Sequence, residues 1–446
     1  MEIMQPEFVA ELNTATLHAS LADASMESMN LLNQIADKYP EAISFAAGRP
    51  YEGFYDSCQV HKYLEVFCDH LGVERRMTEA EIARTLFQYG ETKGIIAGLI
   101  ARSLAVDEGI EAVDGSVVVT VGCQEAMFLV LRALRADDSD AVLAPRPTYV
   151  GLTGAALLAD LPVLPVATGE YGIDLDDLVT QLRRARAAGR RVRACYVTPD
   201  FANPVGASMG LADRHRLLEI AETEHLLLLE DNAYGVFHTS GERPPTLKSL
   251  DRNRRVVYLG SFAKTGVPGA RVGYVVADQR VTGPGGGGLF ADELSKIKSM
   301  LTVNTSPIAQ AVIGGKLLSH GCSMVEANRR ETAVYRQNLN QVLAGLARRF
   351  GDCPGVTWNE PTGGFFVVLS VPFCVTDDFL EHAARRHGVL FTPMHHFYDA
   401  SAQCRQLRLS ISTLTPERIE KGLDRLAALI TERLRGNGTH AAGGAR

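Results

Sequence analysis

Lysine is scarce in this chain. It supplies 9 of the 45 basic residues, so a lysine in a conspicuous setting has few rivals for a chemical role. The eight cysteines, Cys58, Cys68, Cys123, Cys195, Cys322, Cys353, Cys374 and Cys404, form no CxxC pair and no zinc-like spacing. A chain of 446 residues does not need a disulfide framework to hold a core, and these residues read as reduced thiols in a cytoplasmic protein. No apolar run approaches the ~20 residues that span a bilayer. The N-terminus lacks the basic segment and apolar core of a signal peptide. A formal charge of −7 offers nucleic acid no basic surface, and the absence of a GxGxxG motif removes the usual mark of a dinucleotide site. Neither a membrane nor a nucleic acid is expected as a partner.

What is present is an alternation of strands and helices. Ser116–Val121, Ala141–Ala144, Val163–Val166, Ala194–Thr198, Leu226–Leu229 and Val256–Gly260 read as strands, with helical stretches between them. The four-leucine run before Glu230-Asp231 suits a strand buried on both faces. Such alternation predicts an α/β fold whose large domain has a mostly parallel central sheet flanked by helices. After a helical stretch over residues 307–345 the pattern changes to strands at 355–358, 363–369 and 407–411, with helices at 376–387 and 415–435. That predicts a smaller α+β domain. The expected organisation is an N-terminal arm over 1–35 (helical patterning at Met26, Met29, Leu31, Leu32 and Ile35), a large domain over 60–320, a discontinuous small domain from 36–59 and 330–435, and a disordered tail over 436–446. The glycine-rich stretch 283–288 reads as a surface turn, with no Lys-Ser/Thr after it to suggest a phosphate loop.

Ligands of parallel sheets bind at the C-terminal strand ends, and chemically capable residues gather there. Lys264 lies in Ser261-Phe262-Ala263-Lys264, between two strands. Lysine is rarely buried without a partner, so this one suits an amine that forms a Schiff base with a carbonyl, with Ser261 and Arg271 binding an anion nearby; on the loop alone, a lysine that points into water competes equally. Asp231 closes the apolar strand. A carboxylate there is costly unless something positive pairs with it, and a protonated pyridine nitrogen would do so; a helix cap is the plainer reading. Gly122-Cys123-Gln124 joins a strand to a helix N-terminus, the geometry for holding a phosphate on backbone N–H groups. Asn203 precedes Pro204, where simple turn chemistry competes with an amide contact to a ring hydroxyl. Tyr149 can stack on a flat ring or be a core tyrosine. Arg408 can clamp a carboxylate bidentately or lie on the surface.

In this order and spacing, Ser261-x-x-Lys264 with Arg271, Glu230-Asp231-x-x-Tyr234, Asn203-Pro204-x-Gly206 and Leu407-Arg408-Leu409-Ser410 resemble the fold type I pyridoxal-phosphate aminotransferases, class I/II, over roughly residues 40 to 435. The resemblance implies an aspartate aminotransferase-like fold and pyridoxal 5'-phosphate as cofactor. It implies Lys264 as the Schiff-base lysine and Asp231 on the pyridinium nitrogen. Asn203 and Tyr234 would hold the phenolic oxygen, and Tyr149 would stack on the ring. Gly122, Cys123, Gln124, Ser261 and Arg271 would bind the phosphate, and Arg408 the substrate carboxylate. Tyr89 matches the tyrosine given to the neighbouring subunit's phosphate and Gly48 the glycine at the entrance, so a homodimer with shared active sites is implied. The chain departs from the family's pattern in Ala202-Asn203-Pro204-Val205-Gly206 and in Pro393-Met394.

The stretches around Phe45–Gly53, Phe87–Ile96 and Tyr196–Pro204 look like the arylglycine aminotransferases of peptide-antibiotic pathways. Those enzymes convert an arylglyoxylate to a hydroxylated phenylglycine, with an amino acid and a 2-oxo acid as substrates. Tyr51, with His395, His396, Phe397 and Tyr398, is then a candidate to surround a phenol. A 2-aminoadipate/kynurenine-type aminotransferase, or an oxidase, decarboxylase or lyase on the same scaffold, is the alternative. A ligand-sensing regulator is disfavoured by the short stretch before the core. The adjacent histidines raise the question of a metal, but no further ligand sits at helical spacing, so none is expected.

Overall fold

A computed structural model describes residues 10–23, 26, 34–35, 37–239, 243–283, 286–398 and 404–441. Met29, Leu31 and Leu32 of the expected arm, Pro284 and Gly285 of the glycine-rich stretch, and the last five residues lie outside them. β1 (Ile43–Ser44) comes first. β2 (Val117–Thr120), β3 (Asp140–Arg146), β4 (Val163–Gly169), β5 (Gly172–Ile173), β6 (Arg191–Val197), β7 (Leu227–Asn232), β8 (Val256–Ser261) and β9 (Gly273–Val276) form one eight-stranded sheet in the order β2-β9-β8-β7-β6-β3-β4-β5. The central pairs β8–β7, β7–β6, β6–β3 and β3–β4 are parallel; β9 and β5 run antiparallel to their neighbours. Leu228, Leu229, Val257 and Leu259 are fully buried in this sheet, as strands covered by helices on both faces require.

The glycine-rich stretch falls in a hairpin of β10 (Arg280–Gly283) and β11 (Gly286–Leu289). The small antiparallel-sheet domain pairs β12 (Thr357–Trp358), β13 (Phe366–Ser370), β16 (Gln406–Ser410) and β15 (Thr392–Pro393), while β14 (Val389–Leu390) runs parallel to β1. Ile43 and Phe45 pack into its core with Val342, Leu346, Leu423 and Leu426 from two helices.

The helical stretch expected over 307–345 is corrected by the structure. It divides into Pro307–Ser319, Met324–Ala327 and Arg329–Phe350. The first break is at Gly321 and Cys322, whose φ angles of 59° and 62° lie in the left-handed region, which no right-handed helix accepts. The last helix, Pro416–Ala441, continues past the end expected at Arg435. Among the described residues no helix is long and apolar enough to cross a membrane.

Candidate active site

A cavity of about 260 Å³ opens at the C-terminal ends of the parallel strands, with walls from the small domain. Its lining brings together Gly48, Cys123, Gln124, Tyr149, Asn203, Asp231, Tyr234, Ser261, Lys264, Arg271 and Arg408, residues drawn from most of the chain. Period-two alternation explains how β7 delivers its carboxylate. Glu230 points away and accepts the backbone N–H groups of Leu247 and Lys248, each at 2.8 Å. Asp231 points into the cavity, 6% exposed.

Asp231 accepts a hydrogen bond from the Tyr196 hydroxyl at 2.7 Å and a long one from the Cys123 thiol at 3.9 Å. Burial pushes its carboxyl up to about 6, against those two hydrogen bonds and the Lys264 charge, which favour the anion. Lys264 moves the opposite way. Loss of water, then the charges of Arg408 and Arg271, bring its amine down to about 8. Its Nζ donates to the Gly48 carbonyl at 2.7 Å and sits 5.9 Å from the centre of the Tyr234 ring. The loop that carries it is fixed from behind. The Thr265 carbonyl accepts from Lys316 Nζ and from Asn328 Nδ2, both at 2.9 Å.

Arg408 is buried at the opposite wall. It donates to Asn203 Oδ1 at 2.5 Å, to the Ala46 carbonyl at 3.1 Å and to Thr392 Oγ1 at 3.2 Å. Its guanidinium lies 4.2 Å from the centre of Phe366 and 4.9 Å from that of Phe397. Burial lowers it to about 10, and its Nε is buried without a hydrogen-bond partner. The phenols of Tyr149 and Tyr234 are both held well above their ordinary value by burial.

The helix Gly122–Leu134 points its N-terminus at the cavity. Gly122 has φ of 71°, and a Cβ on it would lie 2.5 Å from the Arg271 guanidinium, so glycine is what lets this cation approach the helix end. Glu125, in the first turn, accepts from the Val121 N–H at 2.6 Å, from Lys298 at 2.9 Å and from the Thr302 hydroxyl at 2.6 Å. Four cations, Arg49, Lys264, Arg271 and Arg408, thus line a cavity with one carboxylate, Asp231. The excess of three positive charges (four minus one) suits an anionic occupant.

Other expected residues lie elsewhere. Tyr89 is 83% exposed. Tyr51 belongs to an aromatic cluster and accepts nothing from the cavity; its N–H donates to the Tyr335 hydroxyl at 2.9 Å. His395 and His396 pair with Asp377 outside the lining, to which that turn contributes Phe397. Arg49, Tyr196, Thr198, Met127 and Phe366 line the cavity without any local sequence signal of that role.

The family model for aminotransferase class I and II matches residues 70–426. The chain belongs to that family. It is 65% identical over 425 residues to an (S)-3,5-dihydroxyphenylglycine transaminase of Amycolatopsis orientalis, covering 95% of this chain and 96% of that protein. Among solved structures, it resembles the multiple substrate aminotransferase of Thermococcus profundus with a TM-score of 0.80 and 25% identity over 95% of this chain and 99% of that one. It also resembles the α-aminoadipate aminotransferase of Thermus thermophilus, complexed with N-(5'-phosphopyridoxyl)-L-leucine, with a TM-score of 0.77 and 28% identity over 95% and 99% of the two chains. This aminotransferase therefore has the aspartate aminotransferase-like architecture expected from its sequence.

Proposed function

We propose that this aminotransferase uses pyridoxal 5'-phosphate to interconvert a hydroxylated phenylglycine, (S)-3,5-dihydroxyphenylglycine, and the corresponding arylglyoxylate, with an amino acid and 2-oxo acid pair as the second substrates. The observation that carries the reading is the sharing of one cavity by a lysine of lowered basicity, Lys264, and a buried carboxylate, Asp231. The relative at 65% identity supplies the substrate class; a place in peptide-antibiotic assembly is proposed from the motif resemblance given in the sequence analysis.

The cavity fits the cofactor. A phosphate carries about −1.5 to −2 at neutral pH, and a substrate carboxylate adds one more; together they match the cationic excess. The backbone of Gly122, Cys123 and Gln124, with Ser261 and Arg271, would hold the phosphate at the helix N-terminus. Asp231, costly to bury as an anion, would keep a proton on the ring nitrogen. Tyr149 would cover the ring face, and Asn203 and Tyr234 would take the phenolic oxygen. When bound, the cofactor supplies an aldehyde that carries the amino group and a ring that delocalises the electrons left as the Cα proton departs. Lys264 Nζ would take that proton from Cα and deliver it to the cofactor's C4′, and would carry it the opposite way in the reverse half-reaction. Arg408 holds the substrate carboxylate, for which its bond to Asn203 Oδ1 is the resting substitute. The aryl group would meet Phe366, Phe397, Met127 and Val150.

A homodimer in the cytoplasm completes the proposal. Tyr89 stands exposed, and Phe87, Val303 and Ile308 are 80%, 48% and 45% exposed; such apolar residues are suited to burial by a second copy. None of the eight cysteines forms a disulfide, which fits a reducing compartment.

The test is the absorbance spectrum of the purified protein with pyridoxal phosphate. A visible Schiff-base band should appear, be absent in Lys264→Ala, bleach with an amino donor and return with 3,5-dihydroxyphenylglyoxylate. A band that donors shift but no 2-oxo acid restores would point to a lyase, decarboxylase or oxidase; no band would overturn the cofactor assignment.

A further inference from the structure

Asp377, His395 and His396 meet beside the small sheet, with one ligating atom from each within 4.8 Å of the others. The two histidines sit on the short turn Met394–Phe397, and Asp377 opens the helix Asp377–His382. Their imidazole centres are 4.2 Å apart. Both Nε2 atoms aim at the same carboxylate oxygen: Asp377 Oδ1 lies 3.4 Å from His395 Nε2 and 2.8 Å from His396 Nε2.

The tautomer of His395 follows from its other nitrogen. Nδ1 lies 3.2 Å from the Val375 carbonyl, which can only accept, so Nδ1 carries the hydrogen. A neutral His395 then turns the bare lone pair of Nε2 toward a carboxylate. That contact is unfavourable unless a positive species stands between them, either a proton or a metal ion. A histidine whose distal N–H is fixed by a backbone carbonyl is also the ordinary arrangement of a metal-bound imidazole. With Zn–N and Zn–O bonds of about 2.0–2.1 Å, the edge of a tetrahedral site is ~3.3 Å, and the two observed separations bracket it. His396 is nearly buried, with 6% of its side chain exposed, whereas Asp377 is 50% exposed, leaving a path from solvent and room for a water as the fourth ligand.

We propose that Asp377, His395 and His396 form a binding site for a divalent transition metal of the zinc class, separate from the catalytic cavity. The metal bonds to two imidazole nitrogens and one carboxylate oxygen, donors that this class of ion prefers. The site is independent of the cofactor and of the amino-acid substrate. One neighbour reaches the catalytic cavity from the same part of the chain: Phe397, in the same turn, lies over Arg408.

The experiment is titration of the chelator-treated holoenzyme with Zn²⁺ by calorimetry, and with Co²⁺ by visible spectroscopy. The proposal expects one saturable site with the d–d bands of nitrogen and oxygen ligation. It expects Asp377→Asn, His395→Gln and His396→Gln each to weaken binding by more than the ~10–100-fold that outer-sphere partners cost. Circular dichroism of each variant checks folding, and Zn²⁺ should raise the melting temperature of the parent protein but not of the variants. Binding unchanged in all three variants would overturn the site, as would a sulfur-to-cobalt charge-transfer band placing the ion on cysteine. Loss of binding only in His387→Gln would move the ion to the other histidine-carboxylate group, His382, His387 and Glu432, and overturn the assignment. No binding at all would leave the proton as the occupant and also overturn it.

Discussion

Lys264 and Asp231 are displaced toward neutrality by the same cause, loss of water, and each is partly restored by the other. The lysine is a nucleophile only as the free amine. With its basicity brought down to about 8, the neutral fraction rises through that pH and levels above it, well before an unperturbed lysine near 10.4 would do so. The rate at which the cofactor-free protein captures pyridoxal phosphate should therefore rise about tenfold per pH unit below 8 and flatten above it. Stopped-flow absorbance checks this; a rise continuing to pH 10 would show that burial does not tune the amine. That Asp231, Lys264, Asn203 and Arg408 meet in one cavity was legible in their motifs: Asp231 closes the apolar β7, Lys264 and Asn203 lie on the loops leaving β8 and β6, and Arg408 is a charged residue within the apolar β16. Lys316 and Asn328 were not. They reach the Thr265 carbonyl from more than 50 residues away, Lys316 from the helix Pro307–Ser319 and Asn328 from the joint between two helices, and locally nothing distinguishes them from ordinary polar positions. Asp377 escaped notice for the same reason, since its histidines come from another element.

At the scale of elements, the anion-binding end depends on how closely β9 passes the helix Gly122–Leu134. A Cβ on Gly273 would lie 2.5 Å from the Cys123 nitrogen and 2.5 Å from the Gly122 carbonyl carbon. Those are backbone atoms and cannot swing aside. Gly273→Ala should push the helix N-terminus away from Arg271, weaken pyridoxal phosphate affinity by at least about tenfold and cost ~1–3 kcal/mol in stability. Equilibrium dialysis and thermal melts measure the two effects, and full affinity in the variant would show that the phosphate is held elsewhere. The pattern foretold a strand after the Lys264 loop and a helix after Gly122, but not their approach, because sheet order is invisible locally: β9 lies between β2 and β8. The helix division at Gly321 and Cys322 was hidden differently. Apolar spacing continues through it, and only the glycine hints at a left-handed residue, while Cys322 gives no hint.

At the scale of the molecule, a shared active site makes a subunit-mixing prediction. If Tyr89 serves the neighbouring copy, Tyr89→Ala spoils its partner's site and Lys264→Ala spoils its own. Unfolding and refolding the two inactive variants together should restore about a quarter of the parent activity, because half the dimers are mixed and each mixed dimer holds one intact site. Activity no greater than the sum of the separate variants would mean that the sites are not shared. Sequence length and strand–helix alternation foretold the large sheet and the small domain. The exposure of Val303 and Ile308 was not foretold, because they lie more than 200 residues from Tyr89 and on their own read as ordinary core positions.

Arg408 links these scales. Its guanidinium touches Asn203, on the loop leaving β6, and Ala46 and Thr392, on the small domain. The group proposed to hold the acid end of a substrate is therefore also a rivet between the two halves of the protein. Changing the preferred acid would loosen the frame, whereas Met127, also in the lining, packs within the core of the large sheet and ties no second domain to it. Substrate range in this protein can drift at the aromatic end and is anchored at the carboxylate.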